Sequence, residues 1–330
     1  MRLIVDIQST QLHKAGEWLD VQIDGETTQS IPMASVRQVI LIGQGVSAST
    51  PLLFDLLWRG VDVVYQSQSG HSYFRLVGPE SKHSALRVRQ VLVAADPAQS
   101  LALARSTITG KLHNQAVVLH HYGEALGQSD ALRVLAEQMA NAAQADSLDA
   151  LRGFEGSGAA AYFAAWPRQF DVPAWNFRGR AYYPPPDPVM LSLGYSLLLG
   201  DIIGAAQRIG LDPAIGFFHT IDYGRPSLAL DLEEEFRPVI VDTLVLALLR
   251  QQLLRLTDFK RGDGNPGGIL MSDDARRFFI ERFQERLDVR VRHPAWEQNL
   301  TYKQCIERQV EHMARCILGR DPVYQPLLIR

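Results

Sequence analysis

The sequence predicts a two-domain α+β protein: a β-strand-rich N-terminal domain over residues 1–95, followed by a larger all-α domain over residues 96–330. Two observations carry this expectation. Roughly the first 80 positions hold short β-branched and aromatic runs separated by turn residues. From about Ala85 onward, apolar residues recur instead at helical spacing. Strands first and helices after imply successive domains and not an interleaved βαβ fold. A chain of 330 residues is long enough to build both cores.

The expected strands are residues 2–7, 18–23, 36–42, 61–66 and 72–77, with turn material at Asp24-Gly25, 43–45 and 68–70. One helix, residues 50–59, interrupts them, with Ser49 or Thr50 as N-cap, Pro51 in its first turn and Gly60 at its end. The expected helices of the second domain are 97–122, 129–150, 153–165, 188–209, 228–256, 272–287 and 302–318. The N-terminal strands carry unpaired edges, and residues 1–95 hold as many basic as acidic side chains. Such edges are normally paired or covered, which predicts a homodimer formed through this domain.

Composition narrows the class. At 46% hydrophobic and 21% charged residues, the chain is globular and not disordered. The greasiest stretches, 189–206 and 239–249, contain Asp201 and Asp242, so both are read as core helices, with no membrane partner and a cytoplasmic location. Cys305 and Cys316, eleven positions apart in a helical pattern, are too distant to pair, which fits a reducing compartment. The net charge of −3 argues against a wholly basic nucleic-acid binder, yet 28 of the 33 basic residues are arginine. That bias suits phosphate contacts, and a GC-rich genome produces it equally well. Two loops add to this reading. Residues 171–187 mix Arg178 and Arg180 with aromatics, and 259–268 is a glycine-rich loop carrying Lys260 and Arg261; these four are the candidate DNA contacts. A proline-rich connection that packs its aromatics locally is the plain alternative for the first loop.

Chemistry concentrates in three segments. Gly216-Phe-Phe-His219 and, a dozen residues later, Asp231-Leu-Glu-Glu234-Glu-Phe embed a histidine and carboxylates in apolar sequence. Glu155 lies among small residues in Gly153-Phe-Glu-Gly-Ser-Gly158. Buried acids need an offsetting charge, and a hard divalent cation with oxygen and imidazole ligands is the simplest candidate. At 100° per residue, Asp231, Glu234 and Glu235 share one helical face, with Glu233 pointing about 160° away from Asp231. Each residue alone has a plainer explanation: a structural histidine, a capping glutamate, a solvated acidic face. No hydrolase elbow, CxxC, HExxH or P-loop competes with this site.

Four ordered blocks make the pattern specific: Glu155-Gly-x-x-Ala-x-x-Tyr, Arg180…Pro184-Pro-x-Asp187-Pro188, Gly216-Phe-Phe-His219, and Ser227-Leu-Ala-Leu-Asp231-Leu-x-Glu234-x-Phe-Arg-Pro238. With Lys111-Leu-x-Asn114-Gln115 and the late segment 268–277, the chain closely resembles the CRISPR-associated protein one family over essentially its whole length. The resemblance implies a metal-dependent DNA endonuclease and integrase of CRISPR adaptation, which inserts short foreign fragments into a repeat array. It implies that Glu155, His219 and Glu234 hold Mg²⁺ or Mn²⁺, with Asp231 as a further catalytic acid that orients water. It implies double-stranded, branched and CRISPR-repeat DNA as substrate, a homodimer through the β domain, and a heterohexamer with the small ferredoxin-like CRISPR-associated protein two. Tyr182, Tyr183 and Met190 depart from the family pattern near the DNA-contacting loop and the helix that follows it. Two rival classes stay open: a DNA-binding scaffold with vestigial ligands, and a metal-dependent hydrolase of RNA or a small phosphoester.

Overall fold

The computed structural model describes residues 1–67, 73–76, 83–123, 129–166, 186–261 and 269–330. The chain divides into two compact units, Met1–Lys82 and His83–Arg330.

The first unit contains β1 (Arg2–Val5), β2 (Thr10–Ala15), β3 (Trp18–Ile23), β4 (Glu26–Pro32), β5 (Gln38–Ile42), β6 (Ser47–Ala48), α1 (Thr50–Trp58), β7 (Asp62–Gln66) and β8 (Tyr73–Leu76). They form two four-stranded sheets, ordered β1-β5-β7-β8 and β4-β3-β2-β6. In the first sheet β5 lies parallel to both β1 and β7, and all five of its residues are buried, as expected for a strand covered on two faces. Leu12, Leu19, Val39, Leu41, Val63 and, from α1, Leu52 and Leu56 meet in one core. The sequence pattern does not single out β2 and β4. Both are polar along much of their length, β4 being exposed at all but one position, and they are strands because they pair with β3.

The second unit contains α2 (Ser84–Ala95), α3 (Pro97–Gly123), α4 (Ser129–Ala143), α5 (Leu148–Ala165), α6 (Pro186–Ile209), α7 (Ser227–Glu233), α8 (Thr243–Arg250), β9 (Phe259–Arg261), β10 (Ile269–Met271), α9 (Asp273–Asp288), β11 (Arg290–Arg292), β12 (Asn299–Thr301) and α10 (Tyr302–Ile317). It is helical apart from two short antiparallel ladders, β9–β10 and β11–β12. The unit begins before α2 and not at residue 96. Gln90 Nε2 donates to the carbonyls of Asp212 and Ile215, both at 2.8 Å, and Arg89 Nε donates to Ile317 O at 3.1 Å. These bonds tie α2 into the helical fold.

Two helix boundaries differ from expectation for identifiable reasons. α5 starts at Leu148 because Ser147 Oγ accepts the Ala150 N–H at 3.2 Å, a side-chain N-cap. The long helix expected over 228–256 is broken. α7 ends at Glu233, a turn follows, and Arg237–Asp242 form a π-helix before α8. Pro238 has no N–H to continue an α-helical ladder, and a widened turn absorbs the defect. The Val239 carbonyl within it accepts from Thr243 Oγ1 and from Arg286 Nη2, each at 2.7 Å.

α6 is long and apolar enough over Val189–Ile209 to cross a membrane, despite Asp201; 56% of its most apolar stretch is nevertheless buried inside the fold. It packs on α7, α10 and the π-helix, and Met190 is fully buried. Cys305 and Cys316 are both free thiols on α10.

Candidate metal centre

Three elements bring the predicted residues together, and small residues let them approach. A Cβ on Gly158 would sit 2.4 Å from the side chain of Leu112, so α5 lies tightly against α3. One turn before Gly158, Glu155 thereby reaches Lys111, the neighbour of Leu112. Lys111 Nζ stands 2.5 Å from Glu155 Oε1. Arg152, one turn earlier on α5, donates to Phe218 O at 3.0 Å and ties α5 to the segment that carries His219.

That segment is held by Asp231. Its Oδ2 accepts the N–H groups of Phe217 and Phe218 at 2.6 and 3.0 Å, and its Oδ1 accepts His219 N–H at 2.8 Å. Oδ1 also lies 2.7 Å from His219 Nδ1. Only glycine fits at position 216, where a Cβ would come within 2.6 Å of the Ser227 backbone and 2.8 Å of Asp231 Oδ2. Asp231 is therefore engaged by the chain itself. The sequence assigned it to orienting water; the geometry assigns it to orienting an imidazole. With Nδ1 facing a carboxylate that can only accept, the proton resides on Nδ1 and the lone pair of Nε2 is free to ligate. Nε2 is 3.8 Å from Glu234 Oε1.

Glu234 is the point where the elements meet. Arg237 Nη1 donates to its Oε1 at 2.8 Å, and Lys111 Nζ lies 2.6 Å from its Oε2. Oε2 is buried and faces the Lys111 ammonium at that distance. Burial pushes the Glu234 carboxyl up, but Arg237 and Lys111 together overcome that and hold it down at about 2. Lys111 is buried as well. Desolvation alone would lower its pKa, and the carboxylates of Glu234 and Glu155 raise it instead.

The phase argument is corrected here. All four acids of 231–235 are at least 98% buried, so none of them forms a solvated face. Glu233 does not point to solvent: its Oε2 accepts two bonds from Arg237, at 2.6 and 3.0 Å, and burial raises its pKa to about 7. Glu235 does not share the face of Glu234. Both follow the end of α7, and Glu235 accepts instead from Tyr324 OH, the Leu327 N–H and Gln309 Nε2.

Sequence reasoning missed two cations at the site, Lys111 and Arg237. Arg237 was legible, since spacings of three and four residues from Glu234 and Glu233 put them within reach on a helix. Lys111 carried a weaker signal, as one of only five lysines and set in an apolar helical run. Of the candidate DNA contacts, Arg178 and Arg180, with Tyr182 and Tyr183, lie outside the described residues. Lys260 and Arg261 fall on β9, where only the backbone is described.

The donor set fits a divalent cation. Two carboxylates and an imidazole nitrogen are hard or borderline ligands with no thiolate, a set suited to Mg²⁺ or Mn²⁺. The buried Glu234 Oε2 faces a place where a cationic side chain already stands. Among the described residues, no three His, Cys, Asp or Glu side chains converge as a closed ligand set. Glu155 and Glu234 instead face each other across the Lys111 ammonium.

This arrangement belongs to a known class. The chain matches the family CRISPR associated protein Cas1 over residues 3–285. It is 36% identical to the CRISPR-associated endonuclease Cas1 2 of Rhodospirillum rubrum, with 98% of this chain and 96% of that protein covered. In fold it is similar to a casposase bound to integration product, with a TM-score of 0.85 at 21% identity, covering 98% of this chain and 92% of the other. It is also similar to a chain of a Cas6-RT-Cas1–Cas2 complex, with a TM-score of 0.83 at 20% identity, covering all of this chain and 36% of the other. The chain belongs to the Cas1 family of CRISPR-associated endonucleases.

Proposed function

We propose that this chain is a divalent-metal-dependent integrase that joins short DNA fragments into a CRISPR repeat. In this reading Glu155, His219 Nε2 and Glu234 hold Mg²⁺ or Mn²⁺. The observation that carries it is that Glu155 and Glu234, from separate segments, meet on the Lys111 ammonium, while His219, oriented by Asp231, stands with Nε2 3.8 Å from Glu234 Oε1. When bound, the ion supplies Lewis-acid polarisation of the scissile phosphate and stabilises the departing oxygen.

The chain's own residues do the rest. Asp231 fixes the tautomer and rotation of His219, so its ligating nitrogen needs no reorganisation. Arg237 holds Glu234 in place, is itself anchored by Glu233, and has its guanidinium carbon 4.9 Å from the centre of the Tyr195 ring. The chemistry is one in-line displacement: a fragment's 3′-hydroxyl oxygen loses its proton to solvent and forms a bond to a repeat phosphorus. The existing P–O bond breaks, and the displaced oxygen takes up a proton from solvent to leave as a free 3′-hydroxyl. Water in place of the hydroxyl gives endonuclease cleavage, and the reverse displacement resolves branched DNA. The site lies wholly within His83–Arg330.

The partners belong to the same reading: branched and duplex DNA gripped through arginine contacts to phosphates, with Arg178, Arg180, Lys260 and Arg261 among the contributors, and hence salt-sensitive binding. A homodimer through the N-terminal unit and a heterohexamer with Cas2 complete it, acting in the cytoplasm. The test is disintegration of a branched duplex by the purified protein. Turnover should require Mn²⁺ or Mg²⁺ and stop in EDTA, with the fold retained on chelation. Turnover undiminished by EDTA would overturn the metal assignment. Cleavage of RNA or small phosphoesters in preference to branched DNA would overturn the substrate.

A further inference from the structure

Lys111 is the one strong cation of the site on a movable stem. Arg237 is bound by a planar fork to Glu233 and Glu234, four and three residues before it on the same segment, so it moves only with that segment. Lys111 comes from a different helix, α3, and reaches both Glu155 and Glu234 with a compact ammonium at the end of four rotatable methylenes. Its nitrogen is 2.5 and 2.6 Å from one oxygen of each carboxylate, which is where an ion shared by those two carboxylates would itself stand. Two cations cannot share that place.

We infer that Lys111 is the resident counter-ion of the metal cage: its ammonium occupies the cation position when no metal is bound and is displaced when the metal enters. This rests on the ligand reading above and goes beyond it, giving the lysine a role in metal loading. The ammonium keeps the buried Glu234 carboxylate and the partly exposed Glu155 carboxylate from facing each other uncompensated, which is unfavourable where one of them is withdrawn from water. The cost is competition, because every metal ion that binds must first break two short ion pairs. Lys111 therefore weakens metal affinity while stabilising the metal-free fold. A permanent structural bridge would do only the second.

The experiment measures Mn²⁺ binding by free-Mn²⁺ electron paramagnetic resonance, and melting temperature with and without Mn²⁺, on wild type, Lys111→Met, Lys111→Gln, Lys111→Arg and Glu234→Gln. Removing a competing unit charge at contact distance should tighten Mn²⁺ binding by about tenfold or more in Lys111→Met and Lys111→Gln. Lys111→Arg keeps the charge and should stay at or below wild-type affinity. Metal-free Lys111→Met should melt below wild type, and Mn²⁺ should raise its melting temperature by more than it raises that of wild type, because the ion replaces the lost charge. Recovery of a folded Lys111→Met protein only in the presence of Mn²⁺ is the same result in stronger form.

If wild type binds Mn²⁺, Glu234→Gln does not, and both neutral Lys111 variants bind no tighter than wild type, the counter-ion role is wrong while the ligand set stands. If Glu234→Gln binds Mn²⁺ as well as wild type does, the ligand set is wrong and the counter-ion role falls with it.

Discussion

Glu234 and Glu235 are neighbours in the chain and both are buried, but they face opposite chemistries. Glu234 looks toward two cations, Lys111 and Arg237, and its carboxyl is held at about 2. Glu235 looks toward neutral donors only, the Tyr324 hydroxyl, the Gln309 amide and the Leu327 N–H, and burial pushes its carboxyl up to about 7. Burial alone thus does not mark a functional acid. What separates the two is the charge supplied by other elements of the fold. A carboxylate kept ionised by cations that can be exchanged is equipped to take a metal. A carboxylate saturated by amides and hydroxyls holds chain segments together.

The second face is a brace. Asn114 sits one turn beyond Lys111 on α3. Its Nδ2 donates to the carbonyls of Glu235 and Leu327, both at 2.8 Å, and its Oδ1 accepts the Ile329 N–H at 3.0 Å. Residues 324–329 are thereby pinned between α3 and the turn after α7. The metal-facing side and the braced side share two short pieces of backbone, Lys111–Asn114 and Glu234–Glu235. Position on one side is set by bonds on the other.

The comparison breaks most visibly at Glu234. Glu234→Gln removes a negative charge that Lys111 and Arg237 both face. Disintegration of a branched duplex at saturating Mn²⁺ should fall by about a hundredfold or more. DNA binding by gel shift should stay near wild type. An active Glu234→Gln would erase the distinction between the two faces.

Glu233 gives the next largest effect. Helical phase alone pointed it away from Asp231. The carboxylate is instead buried and takes two bonds from the arginine that grips Glu234. Loosening that arginine should slow disintegration by roughly tenfold, the scale of changes to groups that orient ligands. A rate equal to wild type would mean that Arg237 holds Glu234 without help.

Much of this was legible beforehand. The two-part division followed from the change of period, and the candidate site residues from a histidine and acids in apolar sequence. What failed was phase. A rotation of 100° per residue holds only while the helix continues, and this one stops at Glu233 because Pro238 forces a turn and a π-helix. Glu235 was therefore placed with Glu234, and Glu233 away from them. The role of Asp231 was hidden for another reason. Its partners are backbone N–H groups of Phe217, Phe218 and His219, and no residue type announces a backbone partner. β2 and β4 were hidden likewise, because their pairing with β3 and not their composition makes them strands.

The braced side is tested by Asn114→Ala, which leaves the Glu235 and Leu327 carbonyls and the Ile329 N–H without this partner in the interior. Stability by urea unfolding should drop by about 3 kcal/mol. The disintegration rate of the remaining folded protein should fall only a few-fold, through slack between Lys111 and Glu234. A loss of activity as large as that of Glu234→Gln, with stability unchanged, would show that the two faces are not separable.

The smallest effect on activity is expected at Asp242, a second acid among neutral donors. Tyr195 OH and Tyr162 OH donate to it at 2.6 and 2.8 Å. Burial raises its carboxyl from 3.8 to about 6, a rise that the two tyrosine bonds and the more distant charges of Arg237 and Lys111 oppose but do not cancel. The folded protein therefore holds this proton more tightly than the unfolded chain does. Below pH 4 the group is protonated in both states and costs nothing. As pH rises from about 4 to about 6 the unfolded chain ionises first, and stability is lost, on the order of 3 kcal/mol in total, with no further change above. Asp242→Asn removes this slope. The melting temperature of the variant, measured relative to wild type, should climb between pH 4 and pH 6 and then level off. Disintegration activity at pH 8 should be unchanged, because Asp242 touches none of the metal-facing groups. A difference in melting temperature that is flat across pH 4 to 6 would show that Asp242 is ionised as easily inside the fold as outside, and that hydroxyl donors can do for a buried carboxylate what Lys111 and Arg237 do for Glu234.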